Sequence, residues 1–223
     1  SVMVCLILGF NNAFSATVGP NNGSTFSNNA AIGVVNWSIP GNAQTSNDVY
    51  ASALLTDVNQ ISRYLTATNF GFSIPAGATI DGIIVQIEQQ TGSGGGFPGT
   101  SENSIKIIQG GVVSGAEHST GAALPFGSDV YVTYGSCTDL WGLSWTAADI
   151  NAVGFGVAFS AVQTIQGTTG NVTAFVDHIR ITVCYTDAVL PIDLLWFNAM
   201  ADCMDNSKAT LDWSTANETN NDY

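Results

Sequence analysis

The chain is predicted to fold as an all-β, antiparallel, jelly-roll-like sandwich, and three observations predict it. From Val34 to Tyr185, short runs rich in Val, Ile, Phe, Tyr and Thr are broken by clusters of Gly, Pro, Asn and Ser, the pattern of brief strands joined by turns. Only 9% of residues are charged, so the polar surface falls to Asn, Ser, Thr, Gln and Gly, as in many extracellular β proteins. Hydrophobic residues make up 45% of the 223, which is enough to close one large core without a metal or disulfide staple.

Taken in order, Val2–Phe10 is an uncharged apolar run too short to span a bilayer, and Ala13-Phe14-Ser15 puts small residues at the −3 and −1 positions of a cleavage site before Ala16. Residues 1–15 therefore read as the end of a signal peptide, the alternative being a buried N-terminal strand. No later apolar run reaches the ~18 residues of a transmembrane helix, so the chain is predicted not to be membrane-spanning.

Residues 16–187 form the expected sandwich. Strands are predicted at Val34–Trp37, Val49–Leu55, Tyr64–Phe72, Thr79–Gln89, Ser104–Gln109, Val130–Tyr134, Gly154–Val162 and Val172–Tyr185. In the last of these, Phe175, Asp177, Ile179, Ile181, Val183 and Tyr185 share a mostly apolar face, while His178, Arg180, Thr182 and Cys184 point the other way. Thr91–Asn103, with its Gly94-Gly95-Gly96 and Phe97-Pro98, reads as a mobile loop. Thr146–Ile150 reads as one short helical turn capped by Thr146. After Asp187 the texture changes: Leu190-Pro191 marks the boundary of a second β unit, residues 188–223. Its expected parts are Ile192–Ala201, a turn around Asp205-Asn206, and Lys208–Trp213.

Two stretches carry a resemblance. Leu190-Pro191-Ile192, Phe197, Leu211, Trp213, Thr215-Ala216, Glu218 and Asn220-Asn221 resemble the start of the fibronectin-type-III-like module that precedes the sorting domain of Bacteroidota proteins exported by type IX secretion. Asp193 stands where that family usually carries Glu. The resemblance implies export to the cell surface or medium. Asn36-Trp37, Asp48-Val49-Tyr50, the run Phe70–Gly82, Asp139-Leu140-Trp141, Trp145-Thr146 and Asp177–Val183 are similar to an uncharacterised β-sandwich module of bacterial surface and phage-associated proteins. That likeness implies a fold and a location, and no activity.

Four Lys+Arg stand against seventeen Asp+Glu, a net charge of −13, which sets the field against nucleic acid or an anionic membrane as partner. Cys5, Cys137, Cys184 and Cys203 show no zinc spacing. A Cys137–Cys184 disulfide and two independent half-buried thiols are equally open readings. Asp177 and His178, as strand neighbours, point to opposite faces and cannot act as a catalytic dyad; Asp177, if buried, needs Arg63, Arg180 or backbone N–H groups as partners. Glu88, Glu102 and Glu117 offer carboxylates to a glycosidase, but no spacing singles out a pair, and no G-x-S-x-G motif supports acyl transfer. No cofactor is expected beyond a structural calcium, which the acidic loops could hold without an EF-hand sequence. The ligand-binding candidates are aromatic: Trp37, Trp141, Trp145 and Tyr134 could stack on extracellular glycans, with core packing as the competing reading. The expected function is a non-enzymatic structural or adhesion module of a secreted or cell-surface protein. A carbohydrate-binding module is the alternative, and an extracellular glycoside hydrolase a third reading.

Overall fold

A computed structural model describes residues 15–94, 97–164, 171–188, 194–201 and 209–215. The signal-peptide reading of residues 1–15 falls almost wholly outside them. Within Phe14–Asp187, one unit by its internal packing, the strands are β1 (Ser15–Asn22), β2 (Thr25–Asn29), β3 (Ala51–Leu55), β4 (Tyr64–Thr68), β5 (Thr79–Thr91), β6 (Ser93–Gly94), β7 (Phe97–Pro98), β8 (Thr100–Gln109), β9 (Val112–Ser114), β10 (Val130–Ser136), β11 (Gly156–Gln163) and β12 (Val172–Thr186). One sheet has the order β1-β12-β5-β10, with β3 also paired to β12, and the facing sheet has the order β2-β4-β11-β8-β9. Every ladder in both is antiparallel. Apart from the β8–β9 hairpin and the small β6–β7 ribbon, the chain crosses to the other sheet at each connection. The protein is an all-β sandwich, as the sequence predicts.

The core lies between the sheets and is built by period-two alternation. Ile83, Val85 and Ile87 of β5 face Ile105 and Ile107 of β8 and Val157 and Phe159 of β11, all fully buried. The alternation of β12 is interrupted. Its register against β5 slips between Val176 and His178, making Asp177 the extra residue of a bulge. Ala174 and Val176 face the core before the bulge, and Ile179, Ile181 and Val183 face it after. The single apolar face expected from Phe175 to Tyr185 is therefore corrected: Phe175 is only half-buried and packs tilted against Tyr50 outside the core, at 5.3 Å between ring centroids.

Other boundaries also moved. Val34–Trp37 is not a strand; Val35 makes only an isolated bridge to Ser62, and the Trp37 backbone is held to β2 by both ends of the Asn28 side-chain amide. β4 stops at Thr68 because Asn69 and Gly71 turn into the left-handed region. The loop expected at Thr91–Asn103 is largely consumed by β5, the β6–β7 ribbon and β8, whose Thr100, Ser101 and Glu102 are buried. β1 and β2, rich in Ser and Asn, escaped prediction because they are edge strands, where polar residues are tolerated and protect the sheet margin. The helical turn Ala147–Asn151 is closed by a capping box in which the Asp149 N–H donates to Thr146 Oγ1 at 3.2 Å and the Thr146 N–H to Asp149 Oδ2 at 2.9 Å.

Cys137 and Cys184 form a disulfide across 47 residues of chain, with Cα atoms 5.2 Å apart. Cys184 pairs with Gly82 of β5, and Cys137 follows the end of β10. The bond thus bridges over Gly82, where a Cβ would lie 2.3 Å from the Cys137 carbonyl carbon; only glycine lets the chain pass so close. Described by itself, the C-terminal hairpin pairs β13 (Leu194–Ala201) with β14 (Ala209–Thr215), setting Phe197 opposite Trp213. The expected turn at Asp205-Asn206 lies outside the described residues.

Candidate functional site

The bulge at Asp177 sits where β12 changes its edge partner. Val172–Val176 pairs with β3, Arg180–Thr186 pairs with β1, and between them His178 is bridged by Gln44. The segment Gln44–Tyr50 fills this gap. Asp177, 1% exposed, accepts the Asn47 and Asp48 N–H groups on Oδ2 at 2.9 and 3.1 Å. Of the partners the sequence offered it, backbone N–H is the one found. Asp48 itself adopts a left-handed conformation (φ 61°), which Asp tolerates. The other carboxyl oxygen, Oδ1, is buried with no hydrogen-bond partner.

Asp129, in the turn entering β10, completes a cluster: one carboxylate oxygen from each of Asp48, Asp129 and Asp177 lies within 4.8 Å of the other two. Asp48 is exposed and Asp129 half-buried. Tyr50 donates its hydroxyl proton to Asp129 Oδ2 at 3.1 Å. Burial, that hydrogen bond and the combined field of the three carboxylates push the Tyr50 hydroxyl up to about 12. Among the described residues no Lys or Arg side chain comes within ion-pair distance of a carboxylate, so none neutralises the cluster.

Beside it, on the sheet face turned from the core, antiparallel register lines up His178, Glu88 and Tyr131 in one row and Arg180, Gln86 and Thr133 in the next. Tyr131 Oη and His178 Nδ1 are hydrogen-bonded at 2.7 Å, and the Arg180 guanidinium sits 3.8 Å over the Tyr131 ring. Arg180 Nε donates to Gln86 Oε1 at 2.9 Å. His178 is held below its ordinary value by burial and then by Arg180, against the opposing pull of Asp177. A bulge weakens the opposite-faces argument against an Asp177–His178 dyad, yet each takes different partners.

Glu102 and Glu117 are structural anchors. Glu102, 4% exposed, accepts the Tyr134 hydroxyl at 2.7 Å and the Thr120 N–H at 3.1 Å. Burial would raise Glu117, but hydrogen bonds from Ser104 and the Ile105 and Ser119 N–H groups hold it below its usual value.

The aromatic candidates differ in burial. Trp37, 2% exposed, packs against Phe159 and donates its indole N–H to the Arg63 carbonyl at 2.8 Å. Trp141, fully buried, donates to the Ile83 carbonyl at 3.0 Å and lies under the His118 ring at 3.8 Å. Tyr134 is 6% exposed between Glu102 and Gln89, and burial pushes its hydroxyl far above its ordinary range. None of these three presents a ring face to solvent. Trp145 is half-buried, edge-on to Phe155, with its N–H on the Leu140 carbonyl at 2.9 Å.

No protein-family model, curated protein or solved structure matches the chain. Sequence reasoning reached Asp177 but not Asp48, Asp129 and Tyr50 as its companions. The local signal was slight: each stands in a Ser/Asn- or Gly-rich turn, at Ser46-Asn47-Asp48 and Gly127-Ser128-Asp129.

Proposed function

We propose that the chain is a non-catalytic structural or adhesive module of a secreted or cell-surface protein. The observation that carries this reading is the Cys137–Cys184 disulfide, because such bonds persist in oxidising compartments and are rare in reducing cytosol. The way the acids are used also supports it: Glu102 and Glu117 spend their oxygens on Tyr134 and on backbone N–H groups, as anchors of β8. The likeness to Bacteroidota type IX cargo would make the route of export that system, with the sandwich as the displayed part. In the native host, extracellular protease should degrade the protein on intact cells. Protection until lysis would refute surface exposure.

Trp145 favours a second reading, a carbohydrate-binding module, because it alone of the four candidate rings is partly open to solvent. A glycan array followed by calorimetry on Trp145→Ala separates the two. Loss of a measured glycan affinity with folding intact selects the carbohydrate module, whereas turnover of a polysaccharide that vanishes in Glu88→Gln would overturn both readings.

A further inference from the structure

We infer that Asp48, Asp129 and Asp177 form a calcium site that ties the Gln44–Tyr50 segment and the turn before β10 to the bulge of β12. The donors are all carboxylate oxygens, the hard ligands that calcium prefers, with no His or Cys among them to suit zinc. Their mutual spacing, within 4.8 Å, matches the span across one ion whose bonds are ~2.3–2.6 Å long. Magnesium dehydrates reluctantly and is usually held through one or two carboxylates with several waters kept, so three converging carboxylates suit it less well.

Asp177 supplies the independent reason to expect an ion. Its Oδ2 already accepts two N–H groups, yet Oδ1 is buried without a partner beside two further carboxylates. Burying a carboxylate oxygen unpaired and next to like charges is unfavourable on both counts, and a divalent cation removes both. The three residues come from separate parts of the chain, so binding would close two loops onto one strand. Asp48 is exposed, which gives the ion a path from solvent and leaves room for water ligands. The site does not depend on whether the module binds glycans.

The test uses the full chain, stripped with chelator and titrated with CaCl2 in a calorimeter. One calcium per chain is expected, with Kd on the order of 10⁻⁴ M, as in extracellular modules. At 10 mM CaCl2, roughly a hundredfold over that Kd, the unfolding midpoint should rise by about 5–10 °C. Asp177→Asn risks the fold, so the decisive variants are Asp48→Asn and Asp129→Asn, which keep an acceptor in place. Each should weaken calcium at least tenfold, and in chelator each should unfold no lower than the parent, because a like charge is gone. Absence of calcium-dependent heat or midpoint shift up to 10 mM would overturn the site. Parent-like affinity in the double variant, or an equal response to 10 mM MgCl2, would overturn it as well.

Discussion

Replacing Trp141 tests most directly whether the candidate aromatics belong to the core or to a binding surface. Its indole is fully buried, roofed by His118 and hydrogen-bonded to the Ile83 carbonyl on β5. Its backbone is held in a left-handed turn (φ 57°), its N–H donating to Asp139 Oδ1 at 2.7 Å. Gly135 leaves the space for the ring: a Cβ there would stand 2.9 Å from Trp141 Nε1. Truncation to Ala removes the ring, opens a cavity between β5 and β10 and strands the Ile83 carbonyl, so a loss of about 4 kcal/mol is expected. At roughly 3 °C per kcal/mol for a domain of this size, the midpoint should fall by about 12 °C. Trp141→Phe keeps most of the burial and loses the N–H bond and part of the ring, for about 1–2 kcal/mol. Trp145→Ala, at a half-buried ring, should cost less than Trp141→Ala. Urea denaturation followed by circular dichroism measures all three. A Trp141→Ala protein within about 0.5 kcal/mol of the parent, well below the core-truncation range, would refute the packing described here.

Two further outcomes follow from the same structure. Reducing Cys137–Cys184, or replacing both residues with Ala, frees a 47-residue loop and should lower stability by about 4 kcal/mol on the chain-entropy account; a change below about 1 kcal/mol in denaturation with and without reductant would contradict a formed bond. His178 titrates below its unfolded value because burial and Arg180 disfavour its charged form, so the unfolded chain takes up a proton first as pH falls. The contribution of His178 is thus complete above the ordinary imidazole value of 6.5 and is lost as pH drops below it, and the unfolding midpoint of His178→Gln should vary less than the parent's between pH 7.5 and 5.5. A slope unchanged by the substitution would assign the acid sensitivity to other groups.

Much of the fold was legible because its signals are local. The runs around β5, β8, β11 and β12 repeat apolar residues at period two, and Thr146 with Asp149 spells its own helix cap. The site was less legible. Phe175, Ile179, Ile181 and Val183 suggest one unbroken alternation, but Ala174 and Val176 hold the opposite phase, and the switch at Asp177 was readable only as two overlapping patterns. Trp37, Trp141 and Tyr134 could be read as surface or core, since an aromatic side chain with a polar tip serves both.

By itself the sequence determined the class of fold, an antiparallel sandwich with an acidic, Asn- and Ser-rich surface, because strand periodicity and composition act over a few residues at a time. Tertiary structure alone decided which oxygens meet at the bulge. Asp48, Asp129 and Asp177 are brought within 4.8 Å only when the Gln44–Tyr50 segment fills the gap between β3 and β1 and β10 closes the far side of the sheet. Long-range closure of this kind depends on which strands become neighbours, and that is set by packing the whole core rather than by any short stretch of chain.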